Sequence, residues 1–152
     1  MVPAFSLNDR ETVFNNEISN NLWKGNGTCQ DAGAITLEDA ADTAVHDNTI
    51  QGQGSRGFAL RLEIGPHTRA VQITNNTFFG SPANMLYVTQ AAPNTFVADR
   101  NSYRAKQPRF HWALQEYSFA EWQKATRQDA HSQVADPALL QSSAISSDAR
   151  SH

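Results

Sequence analysis

The chain has 152 residues, a formal net charge of −3 and 18% charged residues, which suits one domain with its own core. With no basic run to neutralise phosphates, nucleic acid is excluded as the main partner. No apolar stretch has the length of a membrane span, MVPAFSLNDRET lacks the basic and apolar regions of a signal peptide, and a lone Cys29 excludes an internal disulfide or a thiolate zinc cluster.

Residues 1–12 read as a lead-in, with Pro3 near the start and no helical period. The next phrase, Val13-Phe14-Asn15-Asn16-Glu17-Ile18, is the first of four similar ones. Trp23 follows in NNLWKGNGT, which reads as a loop rich in glycine and asparagine. An exposed tryptophan there can stack on a sugar ring; one folded over its own loop is the commoner arrangement. The run AITL, residues 34 to 37, is the first clear strand.

The phrase then returns three times, as Val45-His46-Asp47-Asn48-Thr49-Ile50, Ile73-Thr74-Asn75-Asn76-Thr77-Phe78 and Ala98-Asp99-Arg100-Asn101-Ser102-Tyr103. The key residues Asn16, Asn48, Asn76 and Asn101 are separated by 32, 28 and 25 residues, a period of about 28. Strand signals FALRL (58–62) and MLYV (85–88) recur between them. A short coil of three strands at this period predicts an all-β fold, a right-handed parallel β-helix of about four coils over residues 13–112. Asparagine suits such a corner because it tolerates the left-handed region and its amide bonds nearby backbone. Coils about 4.8 Å apart then stack the four asparagines into an amide ladder. Ile50, Phe78 and Tyr103 point into the core.

After residue 105 the pattern changes. Ser118-Phe119-Ala120-Glu121 is a capping box, so a short helix is expected over roughly 119 to 127. Phe119, Trp122 and Ala125 form its apolar face. With Trp112 just before it, this helix reads as a lid over the solenoid end, within a cap spanning 113–137. Residues 138–152, rich in serine and alanine, read as a disordered tail.

The coils, with Phe110-His111-Trp112 and SFAEWQKATRQDAHSQVADP (118–137), resemble the C-terminal coils and cap of the pectate-lyase-like superfamily of right-handed β-helix proteins, many of them bacterial. Arg127 stands where that pattern has glycine, which predicts a weaker left-handed C-cap. The resemblance implies a carbohydrate-active protein acting on an extracellular polysaccharide, as a lyase or glycoside hydrolase, in a secreted or periplasmic setting. It also implies calcium as a candidate cofactor in the lyase case. The chain matches only the last coils of such proteins. It is therefore expected to be a fragment with an open N-terminal coil that favours self-association.

Neither the lyase nor the hydrolase motif transfers residue by residue, so candidates come from coil stacking. Glu38, Arg61 and Glu63 fall on outward strand positions within one coil spacing of each other, an arrangement able to bind a uronic acid or a cation. The same three residues also make an ordinary cross-strand ion pair, the commoner outcome. Tyr87 extends a sugar-stacking platform begun by Trp23. His46, Asp47 and His67 sit in turns, and Asp129 with His131 in QDAHS reads as a loop tie more readily than a catalytic dyad. No set of thiolates and histidines at metal spacing is present. Two functions stay open: a polysaccharide lyase or hydrolase, and a non-catalytic module for glycan binding or a stalk.

Overall fold

The computed structural model describes the backbone of residues 5–7, 17–19, 22–24, 33–53, 57–81 and 84–135, with side-chain packing over 33–50, 57–79 and 84–135. Asn16, Cys29 and the tail at 138–152 lie outside the described residues. The elements are β1 (Phe5–Leu7), β2 (Glu17–Ser19), β3 (Leu22–Lys24), β4 (Gly33–Glu38), β5 (Ala44–His46), β6 (Thr49–Gln53), β7 (Phe58–Glu63), β8 (Val71–Thr74) and β9 (Thr77–Ser81). They continue as β10 (Asn84–Val88), β11 (Phe96–Asp99), β12 (Ser102–Arg104), β13 (Arg109–Trp112), β14 (Gln115–Ser118), α1 (Phe119–Thr126) and β15 (Gln133–Ala135). The class is all-β with one helix among the described residues. No described helix is long and apolar enough to cross a membrane.

From β1 to β12, every third strand enters the same sheet. The first sheet runs β1-β4-β7-β10-β13-β14, the second β11-β8-β5-β2 and the third β15-β12-β9-β6-β3. Among the described residues, all pairings are parallel except the hairpin β13–β14. Residues of one kind therefore stack in columns, because neighbouring parallel strands lie about 4.8 Å apart and side chains alternate faces. Ile35, Leu60, Leu86 and Phe110 form one inward column, and Leu37, Leu62 and Val88 the next, all buried. Val45 and Ile73 face them from the second sheet, and Ile50, Phe78 and Tyr103 from the third. The Phe78 and Tyr103 rings stack with centroids 5.2 Å apart.

Asn48, Asn76 and Asn101 are buried between the second and third sheets and bond to one another directly. Asn48 Nδ2 donates to Asn76 Oδ1 at 3.1 Å, and Asn76 Nδ2 to Asn101 Oδ1 at 3.3 Å. Each acceptor oxygen also takes the backbone N–H of the asparagine one pass earlier, at 3.1 and 3.0 Å. Asn76 Nδ2 and Asn101 Nδ2 reach back to the carbonyls of Val45 and Ile73, both at 2.9 Å. The division of labour differs from the sequence expectation. The left-handed residue at each corner is the one before the ladder asparagine: Asp47 (φ 55°), Asn75 (φ 54°) and Arg100 (φ 55°). The preceding residue makes the bend and the asparagine amide fills the buried polar gap behind it. Asn76→Ala is expected to cost about 1 to 3 kcal/mol, because buried groups on both neighbours lose their partner; a denaturation midpoint unchanged from wild type would contradict this.

The two chain ends also depart from expectation. Phe5–Leu7, within the expected lead-in, is a strand that pairs with β4 in register Phe5↔Ile35 and Leu7↔Leu37. At the other end, β13 turns into β14 through Ala113 (φ 51°) and Leu114 (φ 67°), both left-handed. A tight hairpin with these angles ordinarily carries Asn-Gly, so Ala-Leu gave no turn signal. Within residues 113–137, β15 joins the third sheet beside β12.

Helix α1 starts where the capping box placed it, with Glu121 Oε2 accepting from the Ser118 N–H at 2.9 Å and from its hydroxyl at 2.7 Å. It ends at Arg127, which adopts the left-handed cap (φ 59°, ψ 22°) although it is not glycine, and donates its N–H to the Gln123 carbonyl at 2.9 Å. Trp122 is fully buried, with its ring 5.3 Å from Phe110 and 6.3 Å from Phe96. Phe119 is half-buried, 5.7 Å from Tyr103 and 5.6 Å from Phe110. The third member of the inner face is Thr126, not Ala125, which is exposed. Thr126 is hidden because its hydroxyl bonds the Trp122 carbonyl at 2.7 Å.

Candidate functional site

The outward face of the first sheet carries the column Thr36–Arg61–Tyr87–His111, in register across β4, β7, β10 and β13. The Arg61 guanidinium carbon lies 5.2 Å from the Tyr87 ring centroid, and Arg61 Nε is 2.8 Å from Glu63 Oε1. Tyr87 and His111 lie 5.8 Å apart, and the Phe58 ring is 4.8 Å from both. Arg61, Glu63, Tyr87 and His111 are all half-buried. The result is an aromatic cluster whose rings meet tilted or edge-on, with Phe58 buried, the guanidinium over Tyr87 and a carboxylate orienting the guanidinium. Sequence reasoning had no ground for adding Phe58 and His111, since their approach depends on packing between passes.

Glu38 pairs in register with Glu63. Both line a cleft of about 310 Å³ together with Asp39, Ile64, Gly65, Pro66 and His67. So Glu38, Arg61 and Glu63 lie on one face, Arg61 turned toward Glu63. Gly65 is required there: a Cβ at that position would collide with the Asp39 carboxylate. Among the described residues, no group of three or more His, Cys, Asp and Glu side chains forms a metal site.

Trp23 is in strand β3, not in a loop, and its backbone pairs with Ile50; its side chain lies outside the described packing, so the platform joining it to Tyr87 does too. His46 Nδ1 contacts the adjacent Asp47 carboxylate at 2.7 Å.

Two histidines missed as a pair share one arrangement. Asp39 accepts the His67 N–H and faces its ring Nδ1, both at 2.7 Å; Asp99 does the same for His131, both at 2.8 Å. The spacings, 28 and 32 residues, are those of the repeat, which was the available signal. Burial pushes each carboxyl up, but the histidine N–H and ring outweigh it and hold both below the ordinary aspartate value. A depressed folded-state value adds stability that is present above the unfolded carboxylate value and lost as pH falls through the folded one. Asp99→Asn should therefore flatten the loss of stability on acidification below about pH 4. Thermal midpoints measured from neutral to acid pH check this: parallel curves for variant and wild type would contradict it.

Asp129 is fully buried at the end of the asparagine ladder. Its Oδ1 accepts from Asn101 Nδ2 at 3.2 Å, the Tyr103 hydroxyl at 3.0 Å and the Ser132 hydroxyl at 2.6 Å; its Oδ2 accepts from Trp122 Nε1 at 2.8 Å. Ser132 Oγ in turn accepts the Asn101 N–H at 2.8 Å, taking the place of a further asparagine. Burial pushes the Asp129 carboxyl up against these four donors, and burial also raises Tyr103 well above its ordinary value. With its oxygens engaged by Asn101 and Tyr103 on one side and Ser132 and Trp122 on the other, Asp129 ties structure together, while His131 stands outside, bound to Asp99.

No protein-family model matches the chain, and neither the curated proteins nor the solved structures include a significant match.

Proposed function

We propose that the three sheets are the faces of a right-handed parallel β-helix of the pectate-lyase-like kind, and that the outward face of the first sheet binds an extracellular polysaccharide. Support for the fold reading comes from the every-third-strand order and the asparagine ladder. The observation that carries the function is the Arg61–Tyr87–His111 column with Phe58 beside it. The half-exposed rings of Tyr87 and His111, packed against the buried Phe58, offer aromatic surface to the apolar faces of sugars, and a guanidinium held over Tyr87 hydrogen-bonds hydroxyl or carboxylate oxygens. Binding is favoured over cleavage because Arg61 is engaged by Glu63, and Asp39 by His67, leaving these groups in structural ties.

Cleavage is the second reading. It is favoured by the register of Glu38 with Glu63, which sets two carboxyl-bearing residues side by side on neighbouring strands, the residue types a glycosidase uses.

Pull-down on insoluble polysaccharides, with soluble chains followed by affinity electrophoresis, tests the binding reading. Tyr87→Ala is expected to weaken retention about tenfold, corresponding to about 1.4 kcal/mol. Wild-type protein that no acidic or neutral polysaccharide retains would sink the proposal. Release of reducing ends or unsaturated products, abolished by Glu63→Gln, would replace it with the cleavage reading.

A further inference from the structure

We propose that a second cleft, beneath the cap, binds an amphipathic monoanion: one acidic head group on an apolar, ring-bearing body. The cleft measures about 690 Å³ and lies between the β13–β14 hairpin, the start of α1, the 106–108 loop and β15. That volume is in the range of small-molecule sites.

Its apolar wall is formed by Tyr117, Phe119, Pro108 and Val134. Val134 identifies this wall as a break in the core. It stands in register with Tyr103, in the column that Ile50, Phe78 and Tyr103 fill at 0% exposure, yet Val134 itself is 39% exposed. A core position has been left facing the cleft. Phe119, packed on Tyr103 and Phe110 by one part of its ring, presents another part to the same space.

The charges in the lining select the ligand. Arg109 Nη1 is bound to both Glu116 oxygens, at 3.1 and 3.3 Å. Glu121 is taken up by Ser118, so the helix start is already neutralised from within. Lys106 is exposed and has no ion-pair or hydrogen-bond partner among the described residues. One uncommitted cation beside an apolar wall complements a single negative charge on an apolar body. This site is separate from the sheet face assigned to polysaccharide, and its test is independent of that assignment.

The probe is 4-phenylbutyrate, with 4-phenylbutyramide as its uncharged counterpart, titrated into the full chain and followed by amide NMR shifts. The acid should shift Lys106, Tyr117 and Val134, bind about tenfold more tightly than the amide, and lose most of that advantage in Lys106→Gln. Lys106→Gln lies on the surface and should keep the wild-type unfolding midpoint; Val134→Glu, which puts a like charge in the wall, should remove binding of the acid. Equal binding of acid and amide, an unaltered preference in Lys106→Gln, shifts confined to other surfaces, or no binding up to about 10 mM would each overturn the proposal.

Discussion

Asp129→Ala is expected to destabilise the protein by about 3 to 5 kcal/mol. The substitution removes the acceptor of four donors at once: Asn101 Nδ2, the Tyr103 and Ser132 hydroxyls and Trp122 Nε1. Asn101, Tyr103 and Trp122 are buried, so water cannot replace the carboxylate without opening the cap. Each buried donor left without a partner costs about 1 to 3 kcal/mol, and partial relaxation brings the sum below simple addition. Asp129→Asn preserves volume but turns an NH₂ toward one of the donors, and should fall between wild type and alanine. Urea denaturation with an unchanged m-value is the check. A loss under about 1 kcal/mol would mean that the carboxylate is not the end of the ladder.

Trp122→Ala should cost a similar amount, about 3 to 5 kcal/mol, for a different reason. The ring is fully buried, packed on Phe110 at 5.3 Å and Phe96 at 6.3 Å, and its removal opens a large cavity between the helix and the last strands. Trp122→Phe keeps most of the packing and loses only the bond to Asp129 Oδ2, so it should cost about 1 to 3 kcal/mol. Because Trp122 and Asp129 share that bond, Trp122→Ala and Asp129→Ala together should cost less than the sum of the two. Additive losses would show that the helix and the ladder are stabilised separately. A Trp122→Ala variant with the wild-type midpoint would remove the helix as a lid.

The repeat was legible in the sequence because it rests on local chemistry. Strand residues such as Ile35, Leu60 and Leu86 alternate, and Asn48, Asn76 and Asn101 recur at the spacing of the passes. The capping box at Ser118 was legible for the same reason. Features set by the return of the chain were not. Nothing in QDAHS reveals that Asp129 arrives beneath Asn101, since that depends on α1 carrying the chain back across the end of the sheets. Likewise, which residue at each corner turns left-handed depended on who fills the polar gap, and Asp47 and Arg100 carry no glycine or asparagine to signal it. At the candidate site, the alternation of β7 placed Arg61 and Glu63 on one face, but Phe58 and His111 join Tyr87 only through packing across passes.

The most direct test of the functional account is a titration of the labelled chain with soluble oligosaccharides, acidic and neutral, followed residue by residue in amide NMR spectra. The account predicts saturable shifts centred on Arg61, Tyr87 and His111, spreading to Glu38 and Glu63, and lost in Tyr87→Ala. Shifts centred elsewhere, or none with any oligosaccharide while the spectrum stays that of a folded protein, would contradict it.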